Sequence, residues 1–176
     1  MEGRMFSAPR SLRDYRMLLS SILACQAAGV VGGVATARSV NTWYATLKKP
    51  AFTPPSWVFG PVWTTLYLLM GVSLYLIRKG DVAPPAAGAA RKLFAIQLLL
   101  NALWSFVFFG LRSPRWALVE IVGLWGALVL TLRAVSRVSR PAAVLLVPYL
   151  LWTSFALVLN YAIWRRNAGR AASACG

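Results

Sequence analysis

Five long stretches of this chain are almost free of charge. Met17–Ala37, Ala51–Ile77, Leu93–Leu111 and Ala142–Trp164 contain no Asp, Glu, Lys or Arg, and Trp116–Leu132 contains only Glu120. A bilayer core about 30 Å thick takes roughly 20 apolar residues per helix. Backbone polar groups in lipid must also be satisfied within the spanning segment. The pattern predicts an all-α integral membrane protein, a bundle of five transmembrane helices over about 17–37, 58–78, 93–111, 116–133 and 142–164. A basic tail, 1–16, precedes one membrane domain over 17–167, in which 38–57 is the first loop. Residues 168–176 form a C-terminal tail.

The charge balance is one-sided, 19 Lys and Arg against 4 Asp and Glu. In a soluble protein a net charge of +15 would point to nucleic acid. Here the basic residues cluster at the ends of the apolar stretches, where they anchor in lipid headgroups. The expected partner is therefore the bilayer and not nucleic acid. Eleven basic residues fall on one side of the bundle and eight on the other, too even a split to fix orientation. The first apolar stretch is too long for a cleavable signal core of about 7–15 residues, so it reads as a retained helix. Cys25 lies inside that helix and Cys175 in the tail, and no disulfide is expected between them.

Between the first two helices runs an unusual loop, rich in Trp, Pro and Lys. Pro50, Pro54 and Pro55 fix φ and remove backbone donors, which predicts a stiff, extended lid rather than a slack connection. Trp43, Tyr44 and Trp57 read either as lid aromatics or as an interfacial belt. Gly60-Pro61 falls in the first turn of the second helix, where Pro is tolerated. Asp81–Gly88, rich in Pro, Ala and Gly, reads as an exposed turn.

The helices carry inward stripes. Gln97, Asn101, Trp104 and Phe108 share one face of the third helix by their +4, +3, +4 spacing. Amides in hydrocarbon need partners, so this face points inward, either as interhelical glue or as the polar anchor of a ligand cavity. On the fifth helix Pro148, Trp152, Phe155, Ala156 and Leu159 align, with Tyr149 and Asn160 beside them. The second helix presents Trp63, Tyr67 and Met70. Gly29-x-x-x-Gly33 on the first helix is a small-residue face suited to close packing within the bundle or against a second copy, as in a homodimer. Near the interface Glu120 can reach water or pair with Arg112 or Arg115, and a structural ion pair is expected ahead of a proton relay. The chain has no His, no carboxylate pair and no cysteine cluster, so no metal site is expected and acid–base hydrolysis is disfavoured. An apolar, aromatic cavity with few polar handles suits a flat hydrophobic ligand, a metal-free porphyrin or a sterol, with no cofactor required.

The stretches WYATLKKPAFTPPSWVFGPVWTTLY (43–67), QLLLNALWSFVFFG (97–110) and PYLLWTSFALVLNYAIWRRN (148–167) resemble, in this order, the translocator protein family, also called tryptophan-rich sensory proteins or peripheral benzodiazepine receptors. The resemblance covers Met17–Asn167. It implies a five-helix bundle, often dimeric, whose pocket is closed by the first loop and takes porphyrins, sterols and synthetic isoquinoline or benzodiazepine ligands. It also implies that Trp63 and Trp152 are pocket tryptophans, the pair tied to light-dependent porphyrin breakdown in the family. Asn101 and Trp104 correspond to further pocket residues, and Ala156 to a small position whose bulk influences binding. Some members carry aromatic residues directly after the loop's Lys-Pro, where this chain has Ala51-Phe52, so Phe52 keeps one ring of that lid. Val158, Tyr161 and Arg165 fit a sterol-binding consensus, a weak pattern that also describes interfacial anchors.

The leading expectation is a membrane receptor in tetrapyrrole sensing or transport, with porphyrin stacked between Trp63 and Trp152 and oriented by Asn101. The alternatives are an enzyme that degrades protoporphyrin in light, a sterol or porphyrin transporter, and a scaffold assembled through Gly29 and Gly33. A bacterial envelope membrane and the outer mitochondrial membrane both suit such a chain.

Overall fold

The computed structural model describes residues 11–80 and 84–172. Five helices are long and apolar enough to cross a membrane, and the chain is an integral membrane protein. They are α1 (Leu12–Val40), α3 (Ser56–Lys79), α4 (Pro84–Ser105), α5 (Pro114–Ser136) and α6 (Arg140–Ala172), with a single turn, α2 (Trp43–Thr46), in the first loop. The helices outrun the sequence estimates because apolarity marks only the lipid-facing length, whereas helical bonding continues to the nearest cap. Ser11 Oγ accepts from Asp14 N at 3.1 Å to start α1, and Ser113 with Pro114 starts α5. Lys79 Nζ holds Asp14 at 3.2 Å across the α1–α3 end.

Several expected boundaries are corrected. Of Asp81–Gly88, read as an exposed turn, 81–83 lie outside the described residues and Pro84–Gly88 is the first turn of α4, with Ala87 and Ala90 buried. Pro is favoured at a helix start and Ala inside one, so composition alone misreads the segment. Residues 12–16 and 168–172, assigned to the tails, are likewise helical, while 1–10 and Cys175 lie outside the described residues. Pro61 falls in the second turn of α3 and not the first, because that helix begins at Ser56.

The helices close a ring in the order α1, α3, α6, α5, α4 and back to α1. Its interior is solid at one end, where Met70, Tyr75, Ile77, Phe94, Leu128, Val135 and Leu146 are buried together. Gly71 makes that end compact: a Cβ there would lie 2.6 Å from Ile22 Cα on α1. At the opposite end α4 widens into a π-helical turn, Phe106–Gly110. The wider turn carries Phe108 and Phe109 inward together, 2% and 9% exposed. Ser39 Oγ on α1 donates to the Phe109 carbonyl at 2.8 Å and fastens it. Arg112, at φ 53°, reverses the chain before α5.

Candidate cavity under the first loop

The end of the bundle nearest the first loop is hollow. A cavity of about 580 Å³ lies among α1, α3, the π-turn and α6, within the range of small-molecule sites. Trp57, Phe59, Trp63 and Tyr67 line it from α3, Trp104, Phe108 and Phe109 from α4 and its π-turn, and Trp152, Phe155, Ala156, Leu159 and Asn160 from α6. Gln26, Gly29, Gly33 and Thr36 of α1 form the fourth wall. The exposed lining residues are Val30, Gly33 and Ala37 on α1, Asn41 just after it, and Ser56, Trp57, Gly60 and Thr64 on α3. The mouth therefore runs between these two helices up to Asn41 and Ser56, the two ends of the first loop. Trp57, 75% exposed, stands at it.

Ring contacts hold the aromatic walls in place. Trp104 stacks on Phe108 with centroids 5.1 Å apart, and its Nε1 donates to Asn160 Oδ1 at 3.2 Å. Asn160 in turn donates to the Pro114 carbonyl at 2.8 Å. Trp63 meets Tyr67 at 5.7 Å and Tyr149 at 6.2 Å. Trp152 meets Phe59 at 6.0 Å and Phe155 at 5.3 Å. A side chain fixed by such contacts loses little further freedom when a ligand packs on it.

Several expected site residues stand elsewhere. Asn101 is buried beneath the cavity and does not line it. Its Oδ1 accepts from Tyr67 Oη, and its Nδ2 donates to Tyr149 Oη at 2.8 Å. It can act on a ligand only through Tyr67. Gln97, one turn earlier, is fully buried, and both its amide atoms lack partners among the described residues. Pro148 is exposed and outside the cavity, with its neighbour Tyr149 fully buried in its place. Phe52 stays on the loop, 51% exposed, and meets the cavity's Phe155 edge-on at 6.4 Å. Val158, Tyr161 and Arg165 face outward on α6, the Arg165 guanidinium 5.9 Å from the Tyr161 ring.

Glu120 is the clearest correction. Both carboxylate oxygens are buried without a hydrogen-bond partner among the described residues, and neither Arg112 nor Arg115 pairs with it. α5 starts at Pro114, which sets Glu120 well inside the helix, while Arg115 turns over the Trp116 ring at 5.7 Å. The two glycines of the small-residue face also part company. A Cβ on Gly29 would stand 2.5 Å from the Tyr67 ring of the same chain, whereas one on Gly33 meets nothing within 4 Å.

The first loop joins the two sides of this mouth and reaches the cavity through Tyr44. Leu47 and Pro55 are extended, at ψ 142° and 144°, and Pro50 is buried. Tyr44 is buried, lines the cavity and lies under the Lys49 ammonium at 4.5 Å. Burial pushes its phenol above the ordinary tyrosine value. Trp43 packs edge-on against Phe108 at 5.6 Å. The sequence reading missed Phe59 and Phe109: the first stands four residues before Trp63 and continues the stripe of α3, a signal that could have found it, whereas only the π-turn brings the second inward.

Residues 21–165 match the TspO/MBR family. The tryptophan-rich protein TspO of Chlorobaculum tepidum is 46% identical over 143 residues, 81% of this chain and 90% of that protein. The protein of the same name from Archaeoglobus fulgidus is 46% identical over 151 residues, 86% of this chain and 97% of its own length. The translocator protein of Homo sapiens is 46% identical over 129 residues, 72% and 76% of the two chains. A family match over 21–165, with 46% identity to bacterial, archaeal and mammalian relatives, leads to one conclusion: this chain is a five-helix membrane protein of the TspO/MBR family.

Proposed function

We propose that the chain is a membrane receptor for porphyrins, bound in the cavity beneath the first loop. One observation carries this reading: tryptophans from three helices, Trp57 and Trp63, Trp104, and Trp152, line a single apolar space with few polar groups. A flat macrocycle presents two large π-faces and gains from offset stacking on such walls. Trp63 and Trp152, each braced by other rings, are the stacking surfaces. Tyr67, whose hydroxyl is committed to Asn101, sets the depth of the site. Besides the tyrosines, the polar side chains of the lining are Gln26, Thr36, Asn41, Ser56, Thr64 and Ser105, together with Asn160, whose amide is committed to Trp104 and the Pro114 carbonyl.

The test is a dark titration of the purified chain with protoporphyrin IX, followed by tryptophan fluorescence. Saturable quenching that weakens about ten-fold or more in Trp63→Ala and in Trp152→Ala is expected, as for truncation of buried aromatic anchors. Absence of saturable quenching would remove porphyrin as the ligand. Illumination of the complex then separates a receptor from an enzyme. Light-driven loss of the porphyrin spectrum that collapses in Trp152→Phe, where stacking survives, would make the chain a porphyrin-degrading enzyme.

Sterol is the second candidate, favoured by the outward Val158–Tyr161–Arg165 face. A sterol held there leaves porphyrin affinity unchanged, and a sterol held in the cavity competes with it.

A further inference from the structure

We infer that Asn167 is the latch that holds the first loop closed over the cavity, and that it sets how fast a ligand enters and leaves. Asn167 lies one turn beyond Ile163, which lines the cavity near the C-terminal end of α6. Its Oδ1 accepts from Lys48 N at 3.0 Å, and its Nδ2 donates to the Lys48 carbonyl at 3.0 Å. One side-chain amide thus satisfies both main-chain groups of a single loop residue, the pairing that one strand residue offers another. The same Nδ2 also donates to the Ile163 carbonyl at 2.8 Å, which fixes the side chain's direction against its own helix.

The position of Lys48 makes this pairing matter. It lies between Tyr44, which lines the cavity, and Phe52, whose ring meets Phe155. Among the described residues, the hydrogen bonds tying 47–55 to α6 run through Asn167 alone. The loop's other contacts to the bundle described above, between Phe52 and Phe155 and between Trp43 and Phe108, are between rings that can slide. Only the amide pairing is directional. It is also solvent-exposed, so water can replace both bonds as the loop lifts, and the closure is reversible. Two exposed hydrogen bonds are modest individually, and losing both shifts a closed-to-open equilibrium by about ten-fold.

The gating half of this inference rests on the cavity being the ligand site, whereas the closure half does not. The experiment uses the full chain in nanodiscs, the parent beside Asn167→Ala and Asn167→Asp. Amide hydrogen exchange over residues 44–52 reads loop closure without any ligand. Dissociation of protoporphyrin IX, followed by recovery of tryptophan fluorescence, reads passage. In Asn167→Ala both rates are expected to rise about ten-fold, with exchange in α3 and α5 unchanged. Asn167→Asp keeps the acceptor for Lys48 N and loses the donor, and is expected to fall between. Unchanged loop exchange in Asn167→Ala would overturn the latch whatever the ligand does. Faster loop exchange with unchanged porphyrin dissociation would overturn its control of passage. If the parent shows no saturable porphyrin binding, the porphyrin reading fails, and loop exchange alone decides the latch.

Discussion

Gly71 on α3 packs against the backbone of Ile22 on α1, and replacing it by Ala tests the packing of the whole ring. The added methyl would sit 2.6 Å from Ile22 Cα and 3.1 Å from Ile22 N. Those are backbone atoms, so no rotamer change relieves the contact and the two helices must separate by most of an ångström. Forced separations of this kind cost about 1–3 kcal/mol, and the backbone clash places this one near the top of that range. Helix propensity returns at most about 1 kcal/mol for Gly to Ala, leaving a net loss of about 2 kcal/mol. Gly33→Ala is the matched control: the same change in the same bundle, but with nothing within 4 Å of the new methyl. It is expected to be neutral or to gain up to about 1 kcal/mol. The pair should differ by about 3 kcal/mol, or roughly 6–12 °C in Tm by the scaling for chains of this size. Thermal unfolding of both variants and the parent in one detergent, at one protein concentration, measures it. Equal Tm values for Gly71→Ala and Gly33→Ala would refute the argument. A loss confined to Gly33→Ala would show that the α1 small-residue face packs against a second copy.

Two further outcomes follow from named groups. Gln97→Met keeps the volume and removes an amide whose two polar atoms have no partner among the described residues. It is expected to raise stability by about 1–3 kcal/mol, and a lower Tm would show that the amide is satisfied in the membrane. Tyr44 supplies a pH dependence. Its folded phenol is raised by burial, so its contribution is complete below the ordinary value near 10 and is lost as pH climbs through the folded value. Stability should fall above about pH 10, less steeply in Tyr44→Phe, and identical profiles for the two chains would refute the assignment.

How much of the site was legible can be judged from particular residues. The inward faces of α4 and α6 were readable because lipid penalises exposed amides. Gln97, Asn101, Trp104 and Phe108 had one direction to point, and all four are turned into the protein. Trp63, Trp152 and Ala156 likewise line the cavity they were assigned to. The individual roles were not readable. Asn101 looks like a ligand anchor by type and spacing, but two tyrosines from other helices consume its amide. Gly29 and Gly33 look equivalent, and Gly71, which stands in no motif, is the one described glycine whose Cβ would meet another helix's backbone within 3 Å.

By itself the sequence determined the solvent, the number of spans and the inward side of each helix. These follow from apolar length and from a 3.6-residue period, properties of one segment against its surroundings. Only the tertiary structure decided the ring order, the hollow end under the loop, the orphaned position of Glu120, and the meeting of Lys48 with Asn167. Each of these depends on the distance between segments far apart in the chain. A helical period fixes a direction about its own axis, and neither the identity of the neighbour in that direction nor its distance.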